Sequence, residues 1–252
     1  MDRKNDKSYI LGIPFSKRDR LGAYTYISNA LSEGRSIKIF TPNAEILYKT
    51  ARSPRLAALL KKADLLLPDG SGVVAASRLL GDPLPCRITG IDTAEYILSV
   101  AEKQGLSVYL LGGKEGIAAR AAASLTERFP RLQICGHHHG YFTYEEELVE
   151  KISAARPHIL FVCMGFPAQE KFIVENAHKI PTLHLSMGLG GSLDVWSGDV
   201  RRAPKIVQKA GAEWLYRVII EPRRIRRLPY LGAFAIAVLK SCKNTYHKKE
   251  LR

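Results

Sequence analysis

The sequence predicts an α/β fold: a mostly parallel sheet with helices on both faces, extended by a basic, apolar C-terminal helical appendage. Three observations carry that expectation. Short apolar runs alternate with longer segments of helical period, the pattern of a parallel sheet covered on both faces. Small and polar residues, glycine above all, follow the apolar runs directly. Charge is also segregated, because Arg201 to Arg252 holds fourteen Lys and Arg against three acids, a net of +11 out of a total of +14. The first two hundred residues then carry 24 basic against 21 acidic side chains, the near balance of an ordinary enzyme body. At 252 residues and 46% apolar, the chain has length and core enough for one large domain at 1–200 with an appendage at 201–252.

In chain order, Tyr9 to Ile13 reads as a first buried strand and Leu21 to Ser32 as a helix. Ile37 to Phe40 is a second strand, and it runs through Thr41-Pro42-Asn43 into a long helix from Ala44 to Lys62. Leu65 to Leu67 is a third strand, ending on Pro68-Asp69-Gly70-Ser71-Gly72, with helices at Val73 to Leu80 and Thr93 to Lys103. Val108 to Leu111 is followed by Gly112 and Gly113, then by a helix from Gly116 to Phe129. A helix at Tyr144 to Ala155 precedes the strand Ile159 to Met164, which exits through Gly165-Phe166-Pro167 into a helix from Gln169 to His178. Thr182 to Met187 is the sixth strand, ending on Gly188, Leu189, Gly190 and Gly191. Ligands of such sheets sit beyond the carboxyl ends of the strands, so the residues at these exits are the candidates.

Asp69 emerges at that rim, where a carboxylate can take a proton from a substrate hydroxyl; in the same position it can also serve as a turn or cap residue for the helix that follows. Thr41 and Asn43 carry the same two readings. The Gly112-Gly113 and Gly188 to Gly191 loops can present bare backbone N–H groups to a phosphate or form tight turns only. Around Arg131 and Lys209, where an acid holding a ribose would stand, the residues are basic or neutral, so a nicotinamide cofactor is not expected. The triplet His137, His138 and His139 has no partner at helical spacing and reads as a solvated loop. No Asp-x-Asp pair occurs, so no divalent metal is expected, and the tail arginines are the supply of positive charge for a leaving diphosphate. Four scattered cysteines without Cys-x-x-Cys spacing read as free thiols.

The tail interleaves its arginines with Trp214, Leu215, Val218, Ile219 and Ile220 and with the run Leu228 to Leu239. That pattern fits an anionic membrane face, because apolar area and Coulomb attraction act together. Its twelve-residue apolar run falls short of the roughly 20 that a spanning helix needs. With no secretory signal in the polar stretch Met1 to Ser8, a cytoplasmic protein at the inner membrane face is expected. A nucleic-acid-binding module is the rival from another class, and the lack of stacking aromatics within Arg223 to Arg227 speaks against it.

Seven blocks in order carry a resemblance: Thr41-Pro-Asn43-Ala-Glu45, Leu67-Pro-Asp69-Gly-Ser-Gly72, Arg87-Ile-Thr-Gly90-Ile-Asp92, Gly165-Phe-Pro167-Ala-Gln169-Glu170, Gly188-Leu-Gly190-Gly191-Ser-Leu-Asp194, Gly198 with Arg202-Ala-Pro204, and Glu213-Trp214-Leu-Tyr-Arg217. From about Tyr9 to Arg227 the chain resembles the WecG/TagA/CpsF glycosyltransferases, family 26, which implies a Rossmann-like body for the α/β fold. Thr41, the Pro68-Asp69-Gly70 string and Ser192 place it nearest the TagA branch. The resemblance implies an inverting transferase that moves N-acetylmannosamine from a UDP-sugar donor to the 4-hydroxyl of N-acetylglucosamine on a polyprenyl diphosphate. It implies Asp69 as base, Thr41 beside it, and activity-supporting arginines at Arg217, Arg224 and Arg227. Asn43, Glu45, Arg87, Gln169 and Asp194, with Gly112, Gly113, Gly188, Gly190 and Gly191, are then the expected substrate contacts. UDP-N-acetylmannosaminuronic acid and UDP-glucose stay open as donors, and homo-oligomerisation is left open too. One departure is that Arg223 to Arg227 lacks the tryptophans that TagA-like chains often carry there.

Overall fold

The computed structural model describes residues 6–204, 206–207, 213–220, 225–226 and 228–250. Six strands form one parallel sheet: β3 (Ile37–Phe40), β4 (Leu65–Leu66), β5 (Ser107–Gly112), β6 (Gln133–His138), β7 (Ile159–Cys163) and β8 (Leu185–Gly188), in the order β4-β3-β8-β7-β5-β6. The predicted α/β class and parallel sheet hold. Alternation along each strand sends neighbouring side chains to opposite faces, and two cores result. Ile39, Leu110, Phe161 and Met187 face one core, under helices α1 (Arg20–Ser32), α5 (Gly90–Gln104), α6 (Ile117–Arg128) and α9 (Ser192–Trp196). Phe40, Leu66, Leu111 and Leu160 face the other, under α2 (Ala44–Ala51), α3 (Pro54–Leu60), α4 (Ser71–Leu79), α7 (Glu145–Ala154) and α8 (Ala168–Asn176). Each fully buried Ile, Leu or Phe stabilises this arrangement by roughly 1.5–3 kcal/mol.

Three expectations need correction. Tyr9 to Ile13 is not a strand of the main sheet. Lys7–Ile10 (β1) and Ile13–Ser16 (β2) form a separate antiparallel hairpin, because Leu11 and Gly12 both take positive φ and turn the chain back within two residues. Its inner face, Ile10, Ile13 and Phe15, joins the second core. The long helix from Ala44 to Lys62 is two helices, since Pro54 cannot continue one: it lacks an N–H and drives Ser53 to an extended φ, ψ of −141°, 104°. Ser53 Oγ instead accepts from Leu56 N and starts α3. The third correction is β6, an edge strand whose last two residues are His137 and His138. Its half-exposed polar composition hides the period, and Gly136 is required there because a Cβ would lie 2.5 Å from the Tyr109 ring.

Beyond α9 the chain forms α10 (Glu213–Ile220) and α11 (Leu228–Glu250). Helix α11 packs on α2 and α4, with Phe234 and Val238 fully enclosed in the second core. Leu215, Ile219, Ile220 and Ile225 remain exposed, as does Arg226. No helix among the described residues is long and apolar enough to cross a membrane. All four cysteines are free thiols, and burial pushes Cys163 up to about 12.

Candidate active site

The exits of β4, β3 and β8 lie side by side, and helix α11 closes over them, leaving a cleft of about 560 Å³. Its polar end gathers Thr41, Asn43, Glu45, Asp69, Arg87 and Glu213, which sequence positions far apart supply. Leu189, Gly191 and Ser192 form the β8 side of that end.

Asp69 sits where the chain turns from β4 into α4. The cap position of α4 belongs to Gly70, at φ 136° and ψ 140°, a conformation that only glycine adopts freely and that offers no side-chain cap. The Asp69 carboxylate reaches across the rim instead: Oδ2 accepts from Gly90 N at 3.2 Å, in the first turn of the fifteen-residue helix α5. Its other oxygen lies 3.7 Å from Arg87 Nη2. Thr41 stands over the same turn, because a Cβ on Gly90 would come within 2.9 Å of Thr41 Oγ1. Asn43 caps α2, with Oδ1 accepting from Ile46 N at 3.1 Å, and Glu45 pairs with Lys49 one turn on, at 2.6 Å.

Arg87 is the hub. Its Nη2 donates to Glu213 Oε2 at 2.7 Å, and Glu213 is buried at the first turn of α10. One guanidinium thus joins the rim carboxylate of Asp69 to the C-terminal segment. A second bridge does the same nearby, from Arg202 to Asp92 in the first turn of α5. Burial works to raise the Asp92 carboxyl, but the Thr89 hydroxyl and the Arg202 guanidinium outweigh it and hold Asp92 below its usual value.

Gln169, expected to touch substrate, is turned inward. Its Oε1 accepts from Gly165 N at 3.1 Å and from Gly190 N at 2.8 Å, which fixes the amide orientation because only the oxygen can receive two N–H groups. Its Nε2 donates to Glu170 Oε1 at 2.9 Å, and a Cβ on Gly188 would strike that nitrogen at 2.8 Å. Gln169 therefore clamps the β7 and β8 exits together. Glu170 Oε2 is buried without a hydrogen-bond partner among the described residues, and burial pushes its carboxyl up to about 7. Gly112 and Gly113 lie outside the cleft, at the neighbouring β5 exit, against β7: a Cβ on Gly112 would meet the Cys163 carbonyl oxygen at 2.3 Å. That exit and the β7 exit flank the point where chain connections diverge, to β6 on one side and to β8 on the other, the usual place for a ligand in an open parallel sheet. Asp194 lies in the first turn of α9, close behind Gly191.

Arg217 lies on α10 one turn beyond Glu213, while Arg224 and Arg227 fall outside the described residues. No group of His, Cys, Asp and Glu suited to a metal ion occurs among the described residues. Sequence reasoning missed Glu213, Thr89 and Gly90 as parts of the site. The signal for Glu213 was present, since it is one of only three acids in the basic tail and is placed just ahead of an apolar run.

A model of the glycosyl transferase WecG/TagA/CpsF family matches residues 8–248. The chain is similar to proteins named N-acetylglucosaminyldiphosphoundecaprenol N-acetyl-beta-D-mannosaminyltransferase. The one from Bacillus spizizenii strain W23 is 38% identical over 210 residues, 83% of this chain and 81% of that protein. That of Bacillus subtilis strain 168 is 36% identical over 213 residues, 84% and 83% of the two chains. That of Staphylococcus aureus strain NCTC 8325 is 34% identical over 235 residues, 92% of each.

Proposed function

Because the chain belongs to the WecG/TagA/CpsF family of glycosyl transferases, we propose that its cleft transfers N-acetylmannosamine from UDP-N-acetylmannosamine to the 4-hydroxyl of N-acetylglucosamine carried on a polyprenyl diphosphate, as in synthesis of the wall teichoic acid linkage unit. The names of its relatives supply the acceptor and the transferred sugar. The observation that carries the reading to these residues is Asp69, a carboxylate presented at a strand exit, anchored by Gly90 N and flanked by Thr41.

The acceptor oxygen attacks the anomeric carbon as its proton passes to Asp69. The bond from that carbon to the diphosphate oxygen breaks, its electron pair leaves with UDP, and displacement from the opposite face gives the β-linkage. Gly90 N and Arg87 hold the carboxylate at the rim, which keeps the base in place without a cost of reorganisation during reaction. Thr41 and Asn43 orient sugar hydroxyls. The nucleotide lies toward the Gly112-Gly113 and Gly188 to Gly191 loops, the latter ordered by Gln169. Arg217, Arg224 and Arg227 meet the charge that accumulates on the leaving diphosphate, so no metal is required.

Residues 1–200 act as the catalytic body, and residues 201–252 complete the site and hold the protein to an anionic membrane face. The exposed Leu215, Ile219, Ile220 and Ile225 beside Arg226 support that contact. Assay of a UDP-sugar panel with a short-chain lipid-diphosphate acceptor tests the assignment, with UDP-N-acetylmannosamine expected to outpace UDP-N-acetylmannosaminuronic acid and UDP-glucose. Asp69→Asn should keep the fold and nucleotide binding while lowering turnover by roughly 10²- to 10⁴-fold. Turnover within a few-fold of the parent would move the base elsewhere.

A further inference from the structure

The cleft has a second half that the chemistry above does not use. Beyond Asp69 it continues between α4 and α11, and the lining there is wholly apolar, with Ala75 and Leu79 on one side and Leu231, Ala235 and Leu239 on the other. The charged groups of the cleft, Glu45, Asp69, Arg87 and Glu213, all belong to its polar end. Helix α4 starts at Ser71, next to Asp69, and Leu79 at its far end accepts from Cys242 Sγ of α11 at 3.3 Å. The trough therefore leads from the rim carboxylate outward, and its outer end is marked by Leu79 and Leu239, which are 60% and 54% exposed.

Phe234 and Val238 form its floor and are themselves held in the second core, so the trough is a shaped surface rather than a gap between loose helices. From Leu228 to Leu239 the α11 wall spans about 16 Å at ~1.5 Å per residue. An extended hydrocarbon advances about 1.3 Å per chain bond, so that length accommodates about three isoprene units of four bonds each.

We propose that this trough seats the first isoprene units of the acceptor, so that the lipid is gripped by the protein next to its diphosphate and enters the membrane only past Leu79 and Leu239. This rests on the reading of the acceptor as a polyprenyl diphosphate. The chemistry on the two sides of Asp69 matches such a molecule: sugar and diphosphate on the polar end, a branched apolar chain on the other. Membrane contact alone leaves the chain nearest the diphosphate to water; the trough removes that exposure and also fixes the sugar at the distance Asp69 requires.

Acceptors bearing N-acetylglucosamine diphosphate on a methyl, geranyl, farnesyl or longer prenyl group, assayed without membranes and below micelle formation, test the proposal. With the full chain, kcat/KM should rise at least about tenfold with each of the first two to three units, as expected from burial of their methylenes, and then level off. Ala75 and Ala235 are exposed lining residues, so filling them does not disturb the core. Ala75→Trp and Ala235→Trp should each lower the farnesyl-to-methyl ratio of kcat/KM at least tenfold. A farnesyl diphosphate with a terminal diazirine and no sugar gives a readout independent of transfer, and it should label peptides of α4 and α11 in the parent and lose that labelling in Ala235→Trp. Equal kcat/KM for methyl and farnesyl acceptors, or labelling confined to other elements, overturns the trough. Failure of every acceptor to react counts against the transferase reading instead, and the labelling pattern alone then decides the trough.

Discussion

Glu213→Ala removes the anion that holds Arg87 against α10. At 2.7 Å the two charges attract by about 6 kcal/mol at an effective dielectric near 20, against about 4.5 kcal/mol for the 3.7 Å approach of Arg87 to Asp69. Those gross figures are offset by desolvation, and Arg87 keeps 22% of its side chain exposed while Glu213 keeps 7%, so solvent screens the pair only in part. Loss of one partner from such a pair should cost about 2–4 kcal/mol. The Arg87 charge then turns toward Asp69, which draws the carboxylate away from Gly90 N and lowers kcat more than it raises KM. A double-mutant cycle with Arg87→Met, read by urea unfolding, isolates the pair from other contacts of Glu213 and should give a coupling of at least about 2 kcal/mol. Turnover on a soluble acceptor should fall in both single variants. Coupling below about 0.5 kcal/mol with unchanged kcat would refute the idea that this ion pair ties the C-terminal segment to the rim carboxylate.

Three further outcomes follow from described contacts. Glu170 has its folded pKa raised from 4.5 to about 7, so the native state binds the extra proton and stability is fully present below the unfolded value, then lost as pH rises through 7. Glu170→Gln should remove that fall, worth about 3 kcal/mol between pH 4.5 and pH 8, and identical pH profiles for the two proteins would contradict it. Gly112→Ala places a methyl 2.3 Å from a backbone oxygen at φ 137°, and should cost at least about 3 kcal/mol; Gly198→Ala, at φ 83° with open space, should cost only about 1 kcal/mol, so equal unfolding midpoints would sink the steric account. Removal of residues from Arg201 onward should abolish both vesicle flotation and turnover of a soluble acceptor, whereas turnover at the parent rate would reduce the segment to an anchor.

Much of the candidate site's placement was legible because parallel sheets gather their strand exits at one rim. Thr41, Asp69 and Gly191 were found by position alone, and the sheet brings all three together. What stayed hidden required three-dimensional information. The polar, half-buried β6 carries no clean alternation, and Leu11-Gly12 breaks an apolar run that reads as continuous. Gln169 has the composition of a substrate contact, yet its two backbone partners occupy it. The trough between α4 and α11 was invisible because a helix stripe such as Leu231, Phe234 and Val238 reads the same whether it fills a core or walls a cavity.

The strand order also dictates when the rim can come into being. β3 pairs with β4 close by in sequence, and β5 with β6 and β7, but within the sheet the two groups are joined through β8, where Ile37 and Ile159 both stand opposite Leu185. A nascent sheet can thus assemble as two separate halves whose union waits on the largest loop closure in the body. Since Leu189 and Gly191 of the cleft hang from the end of β8, the rim is complete only once both halves have closed on it.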